Sequence, residues 1–294
     1  MSNSLNDPTI KKSLATLVMC RPDYFDVSYT INPWMQPGFW QSNADVLLKK
    51  AQDGWQSLYQ TFLSLGVTVH LVPPQPGLPD MVFTANSAVA LNRKVLLARF
   101  RHKERLGEEK YFAEFFQQLK EQGIIDDVSS FPEGMTQEGA GDCYWDEHRQ
   151  IFWAGYGPRS SKEAIAYIKD YFGKPVVALE LASDQFYHMD MSLCPLSKGD
   201  VLYHPEAFTK ESLSIILDRV SEDHLIKIDH NDAANFAVNA VNIGDKIILC
   251  RCSSKLESQL NERGYTVIKM PVETFALSGG SVFCMTLRLD QHST

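Results

Sequence analysis

Residues 106–128 read LGEEKYFAEFFQQLKEQGIIDDV, and the pattern in this stretch governs the rest of the chain. Tyr111, Phe112, Phe115, Phe116 and Leu119 recur three and four apart, which puts apolar side chains on one side of a helix. Gly123 follows as a stop signal, because glycine tolerates the left-handed backbone that ends helices. The spacing predicts a helix over 106–121 and a short apolar strand over 124–128. A polar loop comes next, holding Glu138-Gly139-Ala140-Gly141-Asp142. After it stand two apolar runs joined by the charged turn Glu147-His148-Arg149. One unit is therefore helix, strand, loop, hairpin.

Outward from this unit the order repeats. Helices are predicted over 43–65, 160–172, 209–220 and 253–263, with Gly66, Gly173 and Gly264 as further stops. Strands follow at 67–72, 175–179, 225–228 and 266–270. The charged hairpin turns centre on Arg93, His148, Gly199 and Asp245, 46 to 55 residues apart. The fifth unit reaches only 283–289, and residues 14–20 at the other end can supply its missing strand. Recurrence near a fixed period is the signature of a repeat architecture. The expected fold is α/β, a five-bladed α/β propeller of pseudo-fivefold ββαβ units around a central site, with helices outside. An ordinary open α/β sheet is the alternative. No Pro/Gly/Ser-rich linker breaks the chain, so 1–294 is expected to be a single domain.

The hydrophobic set is 44% and charged residues 22%, enough apolar material for a large core. Lys plus Arg is 28 against 36 Asp plus Glu, a net charge of -8. That balance argues against nucleic acid or an anionic membrane as the partner, since phosphate-binding surfaces need a cationic excess. Residues 1–12 are polar and lack a secretory pattern, and no window approaches the roughly 18 apolar residues of a membrane span. The six cysteines include no CxxC pair, which reads as reduced thiols in the cytoplasm. Cys250 and Cys252 are expected to share one strand face in the core, with no metal-ligand cluster nearby in sequence.

In a closed ring the loops before the hairpins converge on the axis. They carry Asp80 to Asn86, Glu138 to Asp142, His188-Met189-Asp190, Asn231 to Asn235, and Ser278-Gly279-Gly280 leading to Cys284. Cysteine is the strong nucleophile of this set, reactive as its thiolate. His188 is placed to act as general acid and base, and Asp190, two residues on in an extended segment, to orient the imidazole. The Gly279-Gly280 loop allows close backbone approach to a ligand. Asp80, Glu138, Asp142 and Asp190 favour a cationic planar electrophile, and a guanidinium's fork of donors fits carboxylates. Taken singly, each residue has a plainer reading: a buried thiol, a structural histidine, a turn or cap acid, a solvated Arg101, Arg105 or Arg159. Their co-location in equivalent loops points to a guanidine-modifying cysteine enzyme.

The segments MCRP (19–22), FDV (25–27), INPWM (31–35), PDMVFTAN (79–86), EGAGD (138–142), GYGPR (155–159), HMD (188–190) and SGGSVFC (278–284) resemble the guanidino-group-modifying superfamily, the pentein fold. The likeness spans essentially the whole chain in order. It implies Cys284 as nucleophile, His188 as general acid/base, Glu138 as guanidinium anchor and Asp190 as the second acid of His-x-Asp. Arg159 and Arg105 would hold the substrate carboxylate, with Asp142 and Gly279 also lining the substrate site. Pro158 is a minor departure from the expected bulkier residue. The informative departure is Asn86: deiminases usually carry an aspartate after F-T-R, and this chain reads Phe83-Thr84-Ala85-Asn86. With Asn32, this is similar to the cyanobacterial-type arginine dihydrolases. An amide both donates and accepts, so it can retain a neutral ureido group as well as a cation.

The resemblance therefore implies hydrolysis of arginine to ornithine, ammonia and carbon dioxide in two rounds on Cys284, without metal or organic cofactor. A one-round deiminase or methylarginine hydrolase releasing citrulline is the second reading, and a noncatalytic binding member of the fold the third. The partner is a small guanidino substrate; an amidinotransferase outcome and a homo-oligomeric state stay open. Dihydrolases of this type can carry a C-terminal ornithine-processing domain, which a chain ending at Thr294 is expected to lack.

Overall fold

The computed structural model describes residues 15–294. Among them, fifteen strands form five three-stranded sheets. In four sheets an antiparallel hairpin pairs in parallel with the strand that follows the next helix. Ala88–Leu91 and Lys94–Leu97 take Asp127–Ser130; Cys143–Asp146 and Ile151–Tyr156 take Val176–Glu180. Leu193–Pro195 and Val201–Tyr203 take Leu225–Lys227, and Val241–Ile243 and Lys246–Leu249 take Thr266–Lys269. In the fifth sheet Thr16–Cys20 pairs antiparallel with Leu287–Arg288 and parallel with Thr68–Val72. The two ends of the chain thus build one sheet, as the truncated fifth unit predicts. Leu14, the first residue of the predicted strand, lies outside the described residues.

Apolar spacing explains which faces pack. Ala44–Ser64 buries Ala51, Trp55, Leu58 and Phe62, and each large side chain removed from water contributes about 1.5–3 kcal/mol. Along Thr16–Cys20, Leu17 and Met19 join the core under that helix, while Val18 and Cys20 face the core of Phe112 and Phe116. This is the alternation of a strand buried on both sides.

Three elements depart from the sequence reading. The helix expected over 106–121 is divided at Gly107 into Lys103–Leu106 and Glu108–Glu121. The strand after it begins only at Asp127, because the Ile124 amide still donates to the Leu119 carbonyl (2.9 Å) and closes the helix end. The helix expected over 160–172 is Ala164–Phe172; Ser160 is held instead by Asp142 Oδ2 and the Glu138 amide. Cys250 and Cys252 lie beyond the end of Lys246–Leu249 and pack against different cores, so they share no strand face. Among the described residues no helix is long and apolar enough to cross a membrane.

Candidate active site

The loops that precede the hairpins meet. The Ala85 amide donates to the Cys284 carbonyl (3.0 Å), Asn86 Nδ2 to the Glu138 carbonyl (3.2 Å), and Ser278 Oγ to Asp80 Oδ1 (2.9 Å). Between them lies a narrow pocket lined by Asn32, Asp80, Asn86, Arg105, Arg159, His188, Gly279 and Cys284 together with Ile31, Phe83, Tyr187, Ser278 and Gly280. Glu138, Asp142 and Asp190 stand behind this lining and touch it. A larger cavity, about 330 Å³, is lined by Cys143, Trp145, Cys194 and Arg288 among others and shows no comparable convergence of predicted residues.

One wall is a chain of paired charges. His188 Nε2 is 2.7 Å from Glu138 Oε2, which also accepts from Arg159 Nη1 at 2.8 Å. The other oxygen of Glu138 accepts from the Arg101 amide (3.1 Å). Burial alone raises a carboxyl pKa, but Arg159 and His188 outweigh it here and hold Glu138 well below the usual carboxylate range. Because ionised Glu138 only accepts, Nε2 carries the proton and Nδ1 is the nitrogen left to exchange one. Arg159 also donates to the Ile31 carbonyl (2.9 Å) and lies over the Tyr187 ring at 4.4 Å. Asp142 accepts from the Met189 amide (3.0 Å) and Ser160 Oγ (2.5 Å), fixing the backbone next to His188. Burial pushes Asp142 up to about 6 against the offsetting pull of His188 and these hydrogen bonds.

The opposite wall carries the thiol. Cys284 Sγ donates to Asp190 Oδ2 at 3.1 Å, and Asn239 Nδ2 donates to Sγ at 3.1 Å. Burial and then the Asp190 charge push the thiol pKa well up, so the resting sulfur is protonated. Burial likewise pushes Asp190 up to about 7, offset in part by the hydrogen bonds from Cys284 and Asn239. Its second oxygen, Oδ1, is buried and has no hydrogen-bond partner among the described residues.

The two asparagines are oriented by groups that admit one choice each. Arg105 Nη1 donates to Asn86 Oδ1 (2.9 Å) while Nδ2 faces the Glu138 carbonyl, so the amide cannot be turned over. Asn32 Oδ1 accepts from the Trp34 amide (2.9 Å) and its Nδ2 donates to the Ser278 carbonyl (3.1 Å). Each keeps one N–H and one lone pair for a ligand. Gly279 has φ of +84°, and a Cβ there would lie 2.6 Å from Tyr187 Oη and 2.9 Å from the Asn32 amide. Only glycine lets this loop approach so closely.

The family model described as N,N dimethylarginine dimethylhydrolase, eukaryotic, matches residues 21–290. The chain belongs to this dimethylarginine dimethylhydrolase family. It is 41% identical over 275 residues to the bifunctional arginine dihydrolase/ornithine cyclodeaminase ArgZ of Synechocystis, covering 94% of this chain and 38% of ArgZ. It thus spans well under half the length of that curated relative. It is 34% identical over 274 residues to the N(G),N(G)-dimethylarginine dimethylaminohydrolase of Mycobacterium tuberculosis, covering 92% of this chain and 84% of the relative. The crystal structure of the N-terminal domain of ArgZ, a cysteine-to-serine mutant bound to substrate, superposes with TM-score 0.89 at 39% identity, covering 95% of this chain and 100% of that one.

Within this dimethylarginine dimethylhydrolase fold, some sequence expectations change. Asp190 does not orient the His188 imidazole; Met189–Met191 is a 3₁₀ turn, not an extended segment, and Asp190 turns to Cys284 instead. Glu138, expected to anchor the guanidinium, has both oxygens engaged by His188, Arg159 and Arg101. Asp142, expected in the substrate site, stands behind the lining with one oxygen taken by the Met189 amide and the other by Ser160 Oγ. Arg105, expected to grip a carboxylate, is committed to a bidentate pair with Glu108 (2.8 Å each), to Asn86 and to the Asp80 carbonyl. Residues 231–235 do not reach the centre; His230–Ala234 is a helix and Asp232 holds Ser253 at the start of the next one. Unit four instead delivers Asn239. A signal for it existed, because Asn239 stands two residues before Val241–Ile243 as Asn86 stands two before Ala88–Leu91. Tyr187 and Glu108 were also missed, and Ser278, read only as part of its loop, holds Asp80.

Proposed function

We propose that the chain is a cysteine-dependent hydrolase of the arginine guanidino group that yields ornithine, ammonia and carbon dioxide. It works as a single catalytic domain over 1–294 whose five sheets close as an α/β propeller around the pocket. The observation that carries the reading is one pocket that brings Cys284, His188, Asn32, Asn86 and Arg159 together, with Asp190 Oδ1, which has no hydrogen-bond partner among the described residues, beside the thiol just behind the lining. A guanidinium seated there would donate to Oδ1 and bring a positive charge against the sulfur. The same charge lowers the thiol pKa, so substrate arrival itself favours the thiolate. The names of the cyanobacterial relatives, arginine dihydrolases, support the substrate.

In the first round the Cys284 thiolate forms a bond to the guanidino carbon and ammonia leaves, protonated by His188. Water, deprotonated by the same imidazole, then breaks the C–S bond and leaves citrulline. In the second round the thiolate attacks the ureido carbon, a second ammonia leaves, and water releases a carbamate that falls to carbon dioxide and ornithine. Arginine and two waters balance these products. Glu138 positions His188, and Asn239 and Asp190 position the sulfur. Asn86 and Asn32 offer donor and acceptor to either the cation or the neutral ureido group, with Arg159 at the wall to meet the substrate carboxylate. Asp80, held by Tyr29 (2.8 Å) and Ser278, and the Gly279 backbone complete the lining. Six free cysteines support a reducing compartment, the cytoplasm.

A one-round reading is favoured by one observation, the 34% identity to a dimethylaminohydrolase of which 84% is covered. The test of the main reading is Cys284→Ala. Arginine consumption and ornithine formation are expected to vanish, and the wild-type protein quenched during turnover is expected to carry an arginine-derived mass adduct that the variant lacks. Unchanged turnover in the variant would end the assignment.

A further inference from the structure

Outside the pocket, at the neighbouring ends of two parallel strands, Val201–Tyr203 and Leu225–Lys227, stand His204, Glu206 and His230. Their ligand atoms all lie within 4.8 Å of one another. Glu206 Oε2 is 3.5 Å from His230 Nδ1 and 3.8 Å from His204 Nε2. The 3.5 and 3.8 Å separations approach the edge, roughly 3.3–3.6 Å, of a tetrahedron with bonds of about 2.0–2.2 Å.

His204 is the informative member. It is 1% exposed, yet its Nε2 has no hydrogen-bond partner among the described residues, and the Glu206 oxygen is too distant to be one. Its Nδ1 is 3.0 Å from the Ile228 carbonyl. A carbonyl only accepts, so Nδ1 carries the proton and Nε2 presents a bare lone pair. A histidine whose other nitrogen donates to a backbone carbonyl has the tautomer and orientation of a metal ligand. Phe186 packs edge-on against His204 at 4.7 Å and also reaches His230 at 6.1 Å, giving the cluster an apolar side wall. Glu206 and His230 are largely exposed, which leaves an entry path and room for water in the remaining positions. A plain ion pair between Glu206 and His230 would leave the buried Nε2 unexplained.

We propose that His204 Nε2, His230 Nδ1 and the Glu206 carboxylate bind one first-row divalent cation of the zinc class. Imidazole with one carboxylate suits such ions better than magnesium or calcium, which prefer all-oxygen shells. The cation ties the end of one strand to the start of helix His230–Ala234 and backs Phe186, two residues before His188. It takes no part in the reaction.

The test uses chelator-stripped protein carrying Cys284→Ala, so that the pocket thiol cannot compete, and titrates it with zinc chloride by calorimetry. One equivalent is expected to bind, and cobalt(II) in its place is expected to give weak visible bands without thiolate charge transfer. His230→Asn and Glu206→Gln, both at exposed positions, should each weaken zinc binding by at least about 10- to 100-fold, the loss that removing even an outer-shell partner of a ligand causes. In the Cys284 background the same two substitutions should leave turnover unchanged. Absence of binding, affinity indifferent to both substitutions, or a thiolate band would overturn the proposal.

Discussion

On the His188 side of the pocket each charge meets its opposite: Glu138 joins His188 and Arg159 within 2.8 Å. On the Cys284 side, Asp190 faces a neutral thiol and an amide, and one of its oxygens has no partner among the described residues. Both acids are completely buried, so desolvation penalises both alike. The partners decide the outcome, driving Glu138 down and leaving Asp190 raised to about 7. A satisfied acid belongs to the framework. An unsatisfied buried acid is stability given up, and in the proposed reading it receives the substrate's positive charge.

Acid-to-amide substitution at the two positions should break this symmetry most visibly. Glu138→Gln leaves Arg159 without its counter-charge and should destabilise the protein by about 3–5 kcal/mol in denaturant unfolding. Since the Glu138 pKa is depressed on folding, its contribution is present above the unfolded carboxyl range and lost as pH falls through the folded value. The variant should therefore lose part of the acid-side slope of stability. Asp190→Asn should do the reverse, raising stability at pH 8 by about 1–4 kcal/mol by removing an unpaired buried charge. A raised folded pKa means the acid's anion opposes folding, and stability falls as pH rises through about 7. Equal effects of the two variants would contradict the contrast.

Activity sharpens the same comparison. In the wild type, kcat/KM for arginine should fall as pH drops through about 7, where Asp190 takes up a proton and no longer receives a cation. Asp190→Asn should lose roughly 10- to 100-fold in kcat/KM at pH 8, the worth of a charge-assisted hydrogen bond, and should lack this acid limb. The smallest effect is expected at Asn86. Asn86→Asp keeps its partner Arg105 but turns an acceptor toward the Glu138 carbonyl, and it favours cation over ureido. More citrulline should then escape per arginine consumed; an unchanged ratio would remove the role given to this amide.

Much of this was legible in the sequence because it rests on periodicity. Apolar spacing and glycine stops marked the five main helices, and the short fifth unit announced the pairing of Thr16–Cys20 with Leu287–Arg288. The loop contents named most of the pocket lining. Direction was not legible. The 3₁₀ turn Met189–Met191 sends Asp190 to the sulfur, and no spacing rule separates that from an extended segment that would send it to His188. Nor does sequence separate lining from support: Glu138 is a charged residue in the right loop, but its partners His188, Arg159 and the Arg101 amide hold it behind the lining. Asn239 escaped because its loop contains a short helix that carries the more conspicuous Asn231 and Asp232 away from the centre.

The most direct measurement incubates the purified chain with L-arginine, without added metal, and quantifies ammonia, citrulline and ornithine in the same samples. Two ammonia per ornithine, with little free citrulline at any time, is the predicted result. One ammonia per citrulline, with no ornithine, would contradict it and make the pocket a one-round hydrolase.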